Sequence, residues 1–96
     1  MSRKLLIERK ALKYLSGLPE KSQRLIKEKC RALSDDPYPG QGGDKELLHL
    51  DYDLYRLHVG RSFTVFYQIC EADDLVKILE ITTIERAHKL YKRIEV

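Results

Sequence analysis

The sequence predicts an α+β fold: an antiparallel sheet with a helical hairpin on one face and a short C-terminal helix. Three observations predict it. Apolar residues follow a helical period up to about residue 34. Beyond residue 53 they alternate as in strands. Helical spacing returns after Thr83. The implied order is β-α-α-β-β-β and then a helix, with the helices gathered on one side.

Each element has a local reason. Lys4–Glu8 holds Leu5, Leu6 and Ile7 and reads as a strand or as the opening of the next helix. Arg9–Ser16 sets Ala11, Leu12 and Leu15 on one helical face, and Gly17 ends it. Pro19 suits the start of a second helix, and Glu20 complements its dipole. Leu25, Ile26, Lys29, Cys30 and Leu33 form the expected buried stripe, which Asp35-Asp36-Pro37 closes. Residues 37–44, PYPGQGGD, are loop. In the next strand Tyr55, Leu57 and Val59 share one face, and Leu54, Arg56 and His58 the other. Gly60-Arg61 is a tight connection. Residues 62–70, SFTVFYQIC, are apolar on both faces, as in a central strand. Ala72-Asp73-Asp74 turns the chain into a last strand, Leu75–Thr83. The second face of the sheet is expected to be a helix-free concave surface carrying Arg56 and His58.

A chain of 96 residues is one domain, 1–96, with one modest core. No apolar run approaches the roughly 20 residues of a membrane span, and the charged start is unlike a signal peptide. Cys30 and Cys70 support neither a disulfide framework nor a four-ligand zinc site. A reduced, cytoplasmic protein is expected. Charge is polarised along the chain. Residues 3–31 carry ten Lys and Arg against Glu8, Glu20 and Glu28, whereas residues 35–53 are acidic apart from Lys45. Such polarity suits a polyanion or an acidic partner, and equally a solvated helical surface.

Motifs exclude several chemistries. There is no GxSxG or HExxH, and Gly40-Gln41-Gly42-Gly43 lacks the strand-loop-helix context of a phosphate loop. No metal site and no cofactor are expected. Arg56 and His58 share a strand face, and a neighbouring guanidinium favours the neutral imidazole that a general base needs. His88, Lys89, Tyr91 and Lys92 follow Arg86 in a basic tail, where Tyr91 can stack on a base or pack on the apolar helix side. Cys30 and Cys70 read as apolar fillers.

The stretches ALKYLSGLPE, LYRLHVGRSFTVFYQI and VKILEITTIERAHKLYKRI, in this order and at this length, resemble the RelE/ParE superfamily of toxin–antitoxin toxins. The resemblance runs from about Leu5 to Ile94 and is strongest to RelE, an mRNA interferase that cuts mRNA in the ribosomal A site. It implies a RelE-like fold and metal-independent attack of a ribose 2′-OH on the adjacent phosphate, which inhibits translation. Carried over by position, Arg56, His58, Arg61, Arg86, His88 and Tyr91 are the catalytic candidates. Arg56, Arg61, Arg86, Lys89, Tyr91 and Lys92 are the RNA-binding ones. The resemblance implies a RelB-like antitoxin partner in a heterodimer or heterotetramer. One position departs: Thr64 stands where relatives commonly have Arg, and Arg61 is the nearest substitute. The same fold also serves ParE-like gyrase inhibitors and inactive antitoxin-binding relatives.

Overall fold

The computed structural model describes residues 3–40, 43–49 and 52–87. The elements are β1 (Lys4–Ile7), α1 (Arg9–Ser16), α2 (Glu20–Leu33), β2 (Lys45–His49), β3 (Asp53–Val59), β4 (Phe63–Cys70) and β5 (Leu75–Thr83). A 3-10 turn, Glu71–Asp73, precedes β5, and residues 84–87 are helical. The class, the helical hairpin and the strands β3, β4 and β5 agree with the sequence reading.

The sheet differs in two respects. It has five strands in the order β1-β5-β4-β3-β2, and β1 runs parallel to β5, so the sheet is mixed rather than antiparallel. The extra strand is β2, which pairs antiparallel with β3. Its segment KELLH escapes a period-2 reading because Leu47 packs against the main core while its neighbour Leu48 is buried in a second cluster. The helices return the chain in β2 against the direction of β1, and the three reversals into β3, β4 and β5 leave β5 parallel to β1.

The hairpin α1–α2 covers one face. Ala11 and Leu15 of α1 and Ile26, Cys30 and Leu33 of α2 pack on Tyr55, Leu57, Val59, Val65, Tyr67, Val76 and Ile78. Fully burying one such large side chain contributes about 1.5–3 kcal/mol. The stripe on α2 is narrower than expected, since Leu25 is 38% exposed and Lys29 is exposed. Gln23 of α2 donates to the carbonyls of Leu18 (2.8 Å) and Ser16 (3.2 Å), satisfying orphan groups at the end of α1.

The acidic loop after α2 is pinned to the sheet. The Tyr67 hydroxyl donates to the Pro37 carbonyl at 2.6 Å, and Lys45 Nζ donates to the Asp36 carbonyl at 2.8 Å. Tyr67 stacks on Tyr55 at 5.4 Å, Tyr38 meets Tyr55 edge-on, and the Arg3 guanidinium lies 5.6 Å from the Tyr38 ring centre. Burial pushes the Tyr67 and Tyr55 phenols above their ordinary value.

The second face of the sheet is not bare. Leu48, Leu54, Phe66 and Ala87 form a small buried cluster with Leu79 against it. Ala87 belongs to the helical turn after β5, so that turn covers part of the surface expected to be free of helix. Within this region the register of β4 and β5 shifts: Phe66 pairs with Glu80 and Tyr67 with Ile78, which leaves Leu79 as the extra residue of a bulge.

Candidate functional site

The second face carries the sequence-predicted residues of β3. Leu54, Arg56 and His58 alternate against the core-facing Tyr55, Leu57 and Val59. Register then fixes their neighbours. Arg56 lies between Glu46 of β2 and Phe66 of β4. His58 lies beside Thr64, and Thr64 beside Thr82 of β5. Strand geometry puts Arg56 and His58 about 7 Å apart along β3.

The guanidinium of Arg56 is held. Its side chain is 17% exposed and forms a charge-assisted hydrogen bond with the Glu46 carboxylate. His58 is half-buried, and its backbone N–H donates to the Asp44 carbonyl at 2.8 Å. Glu46 did not emerge from the sequence, where it was one acid in an acidic stretch. Only the pairing of β2 with β3 brings it to Arg56.

Arg61 is exposed in the turn between β3 and β4. Gly60 starts that turn at φ +60°, in the left-handed region that glycine occupies without strain. The Ile84 N–H donates to the Ser62 carbonyl at 2.9 Å. That bond brings the helical turn carrying Arg86 to the end of the sheet that carries Arg61. Arg86 is exposed, and its backbone N–H donates to Thr83 Oγ1 at 3.2 Å. His88, Lys89, Tyr91 and Lys92 lie outside the described residues.

Thr64 is fully buried and Thr82 is 3% exposed. Neither hydroxyl has a hydrogen-bond partner among the described residues. Thr64 is therefore a closed position on the second face, beside His58. The positive charge of this region comes from Arg56, Arg61 and Arg86. Among the described residues no three His, Cys, Asp or Glu side chains converge as a metal site would require, and no helix is long and apolar enough to cross a membrane.

A second surface lies on the helical side. Leu5, Leu12 and Leu25 are 38–47% exposed. Leu5 and Leu12 line a groove of about 180 Å³, floored by Leu15, Cys30 and Ile78 and rimmed by Lys27 and Arg31. Desolvation pushes the Cys30 thiol up to about 11.

Known proteins share this fold. In the solved archaeal RelE–RelB complex of Pyrococcus horikoshii, the matched chain is 28% identical, with a TM-score of 0.73 over 86% of this chain and 96% of that one. The RelBE2 toxin–antitoxin complex of Mycobacterium tuberculosis matches at 18% identity and a TM-score of 0.72, covering 86% and 99% of the two chains. A mutant of the E. coli toxin RelE in the free state matches at 18% identity and a TM-score of 0.63, covering 98% and 95%. The last two establish likeness of fold alone. No curated protein sequence matches at a significant level. A family model described as the ParE toxin of type II toxin–antitoxin systems matches residues 5–88. With most of its length inside that match, the chain belongs to the ParE toxin family, within the RelE/ParE superfamily of type II toxins.

Proposed function

We propose that this toxin is a ribosome-dependent mRNA endonuclease that inhibits translation by cutting mRNA in the ribosomal A site. The observation that carries the reading is the placement of Arg56 and His58 on one strand face, with Arg61 and Arg86 at the same end of the sheet. His58 takes the proton of the ribose 2′-OH. The 2′-oxygen bonds to the adjacent phosphorus, and the bond from phosphorus to the 5′-oxygen breaks. The products are a 2′,3′-cyclic phosphate and a 5′-hydroxyl, whose proton comes from an acid such as His88. Arg56 meets the charge that builds on the phosphorane, helped by Arg61 and Arg86. Removing one charge-stabilising donor of this kind costs about 10²–10³-fold in rate. Phosphate competes with Glu46 for the Arg56 guanidinium, so Glu46 sets how readily Arg56 turns to substrate. Tyr91 stacks on a substrate base, and Lys89 and Lys92 hold phosphates.

The partner is a RelB-like antitoxin, in a heterodimer or heterotetramer, and the compartment is the cytoplasm. The antitoxins in the solved complexes of similar toxins support this. So do the exposed leucines and the apolar groove with its basic rim. An amphipathic acidic segment suits that groove.

The test is induction of the chain alone in a bacterial host, with mRNA 5′ ends mapped on translated and untranslated messages. Growth arrest with new 5′ ends confined to translated messages is expected. Arg56→Ala and His58→Ala should remove both effects while the proteins stay folded. A second reading, gyrase inhibition without catalysis, is favoured by the ParE family match and by Thr64 in place of Arg. Arrest with intact messages and loss of supercoiling by gyrase would establish it instead.

A further inference from the structure

The cations of α1 take no part in the reaction proposed above. Arg9, Lys10 and Lys13 line a shallow trough beside α1, with Tyr14 one helical turn beyond Lys10. Beyond Ile78 the outer edge of β5 is no longer covered by β1, because their pairing ends there. A second groove, of about 180 Å³, opens between that edge and α1, and Lys10, Tyr14, Glu80, Thr82 and Arg86 line it. Lys10 and Tyr14 line both, so trough and groove adjoin along α1 as one track of lining residues. It ends at Arg86, where the helical turn meets the end of the sheet that carries Arg61.

The carboxylates along the track are committed. Glu8 pairs with Lys77 at 3.0 Å, and Glu80 with Lys10 at 3.1 Å. Arg9, Lys13 and Arg86 form no ion pair among the described residues. Tyr14 packs against the main core and is only half-buried, so its ring is fixed and still lines both grooves. Unpaired cations around an immobilised aromatic ring match the chemistry of a single-stranded nucleic acid: phosphates go to the cations and a base to the ring. An acidic peptide would use the charges and leave the ring without a role.

We infer that this track binds a segment of single-stranded RNA outside the Arg56/His58 face. Tyr14 is its stacking platform, Arg9 and Lys13 are its phosphate contacts, and Arg86 stands where it meets the cleavage face. The inference rests on the RNA-directed reading of the toxin, and it extends the footprint from the cleavage face around the β5 edge to α1.

Fluorescence anisotropy of a labelled oligouridylate of about six nucleotides with the full-length chain tests it without ribosomes. Tyr14→Leu should weaken binding roughly ten-fold, and Tyr14→Phe should restore it. Arg9→Ala and Lys13→Ala should each weaken it and lower the slope of log affinity against log salt by about 0.7. Lys21→Ala, on exposed α2, should bind as the parent chain does, and circular dichroism checks that each variant is folded. Equal losses from Lys21→Ala and Lys13→Ala would overturn the inference in favour of general attraction to a basic surface. So would oligouridylate binding indifferent to Tyr14, or binding of polyglutamate in its place. Growth arrest with intact messages, together with Tyr14-dependent oligouridylate binding, would defeat the nuclease reading and leave the track standing.

Discussion

At Thr64 and Thr82 two hydroxyls sit side by side in the interior, and neither donates to a partner among the described residues. A buried hydroxyl without a partner costs about 1–3 kcal/mol. Thr64→Val and Thr82→Val are therefore expected to leave stability unchanged or to raise it by about 1 kcal/mol, measured by urea denaturation. Cys30 makes a different statement. Burial raises its thiol from an ordinary value of 9.0 to about 11. A raised value in the folded state means the folded chain keeps the proton longer than the unfolded chain. Its contribution is fully present below pH 9.0 and is lost as pH rises towards 11. The folding midpoint should fall across that window, and Cys30→Ala should flatten the fall. At neutral pH a thiol alkylating reagent should label the half-buried Cys70 well before Cys30, as followed by mass spectrometry.

Among the elements, the turn between β3 and β4 is the most exacting. Gly60 at φ +60° sits with its missing Cβ position 3.5 Å from the Leu25 side chain. There is room for a methyl group, so Gly60→Ala is a test of backbone strain alone. A loss of about 1–2 kcal/mol is expected, read as a fall in Tm of roughly 5–10 °C. The loop after α2 depends on one phenol, and Tyr67→Phe leaves the Pro37 carbonyl without its donor, at a cost of about 1–3 kcal/mol. Elements such as α1, β4 and β5 were legible because their signals are local: a 3.6-residue apolar period with Gly17 as its stop, and strands rich in aromatic and β-branched residues. β2 was illegible because its two leucines serve opposite faces, which erases alternation. The site divides in the same way. Arg56 and His58 were found as partners because they lie two residues apart on one strand. Glu46 and the cover provided by Ala87 arise from contacts between distant parts of the chain, for which a sequence carries no local mark. Phe66 did leave a trace, since a strand apolar on both faces implies a second cluster, and that cluster sits on the face expected to be bare.

Over the whole molecule, charge is sorted by surface. The helical hairpin presents Lys13, Lys21, Arg24, Lys27 and Arg31 to solvent, whereas the acids of the loop after α2 gather near Lys45. Affinity of the toxin for any polyanion should therefore fall steeply between low and physiological salt. The strand order has a further consequence. Lys4 pairs with Leu75 and Ile7 with Ile78, so the first strand finds its only neighbour in the last one. Everything between is a closed loop whose entropy must be lost before that pairing forms. The hairpins β2–β3 and β3–β4 and the pair α1–α2 are local and can form early. The seam between β1 and β5 joins the strands farthest apart in sequence and is expected to form last, and the track beside α1 flanks it. Until that seam closes, β5 offers a bare edge, where a strand of another chain can pair in place of β1.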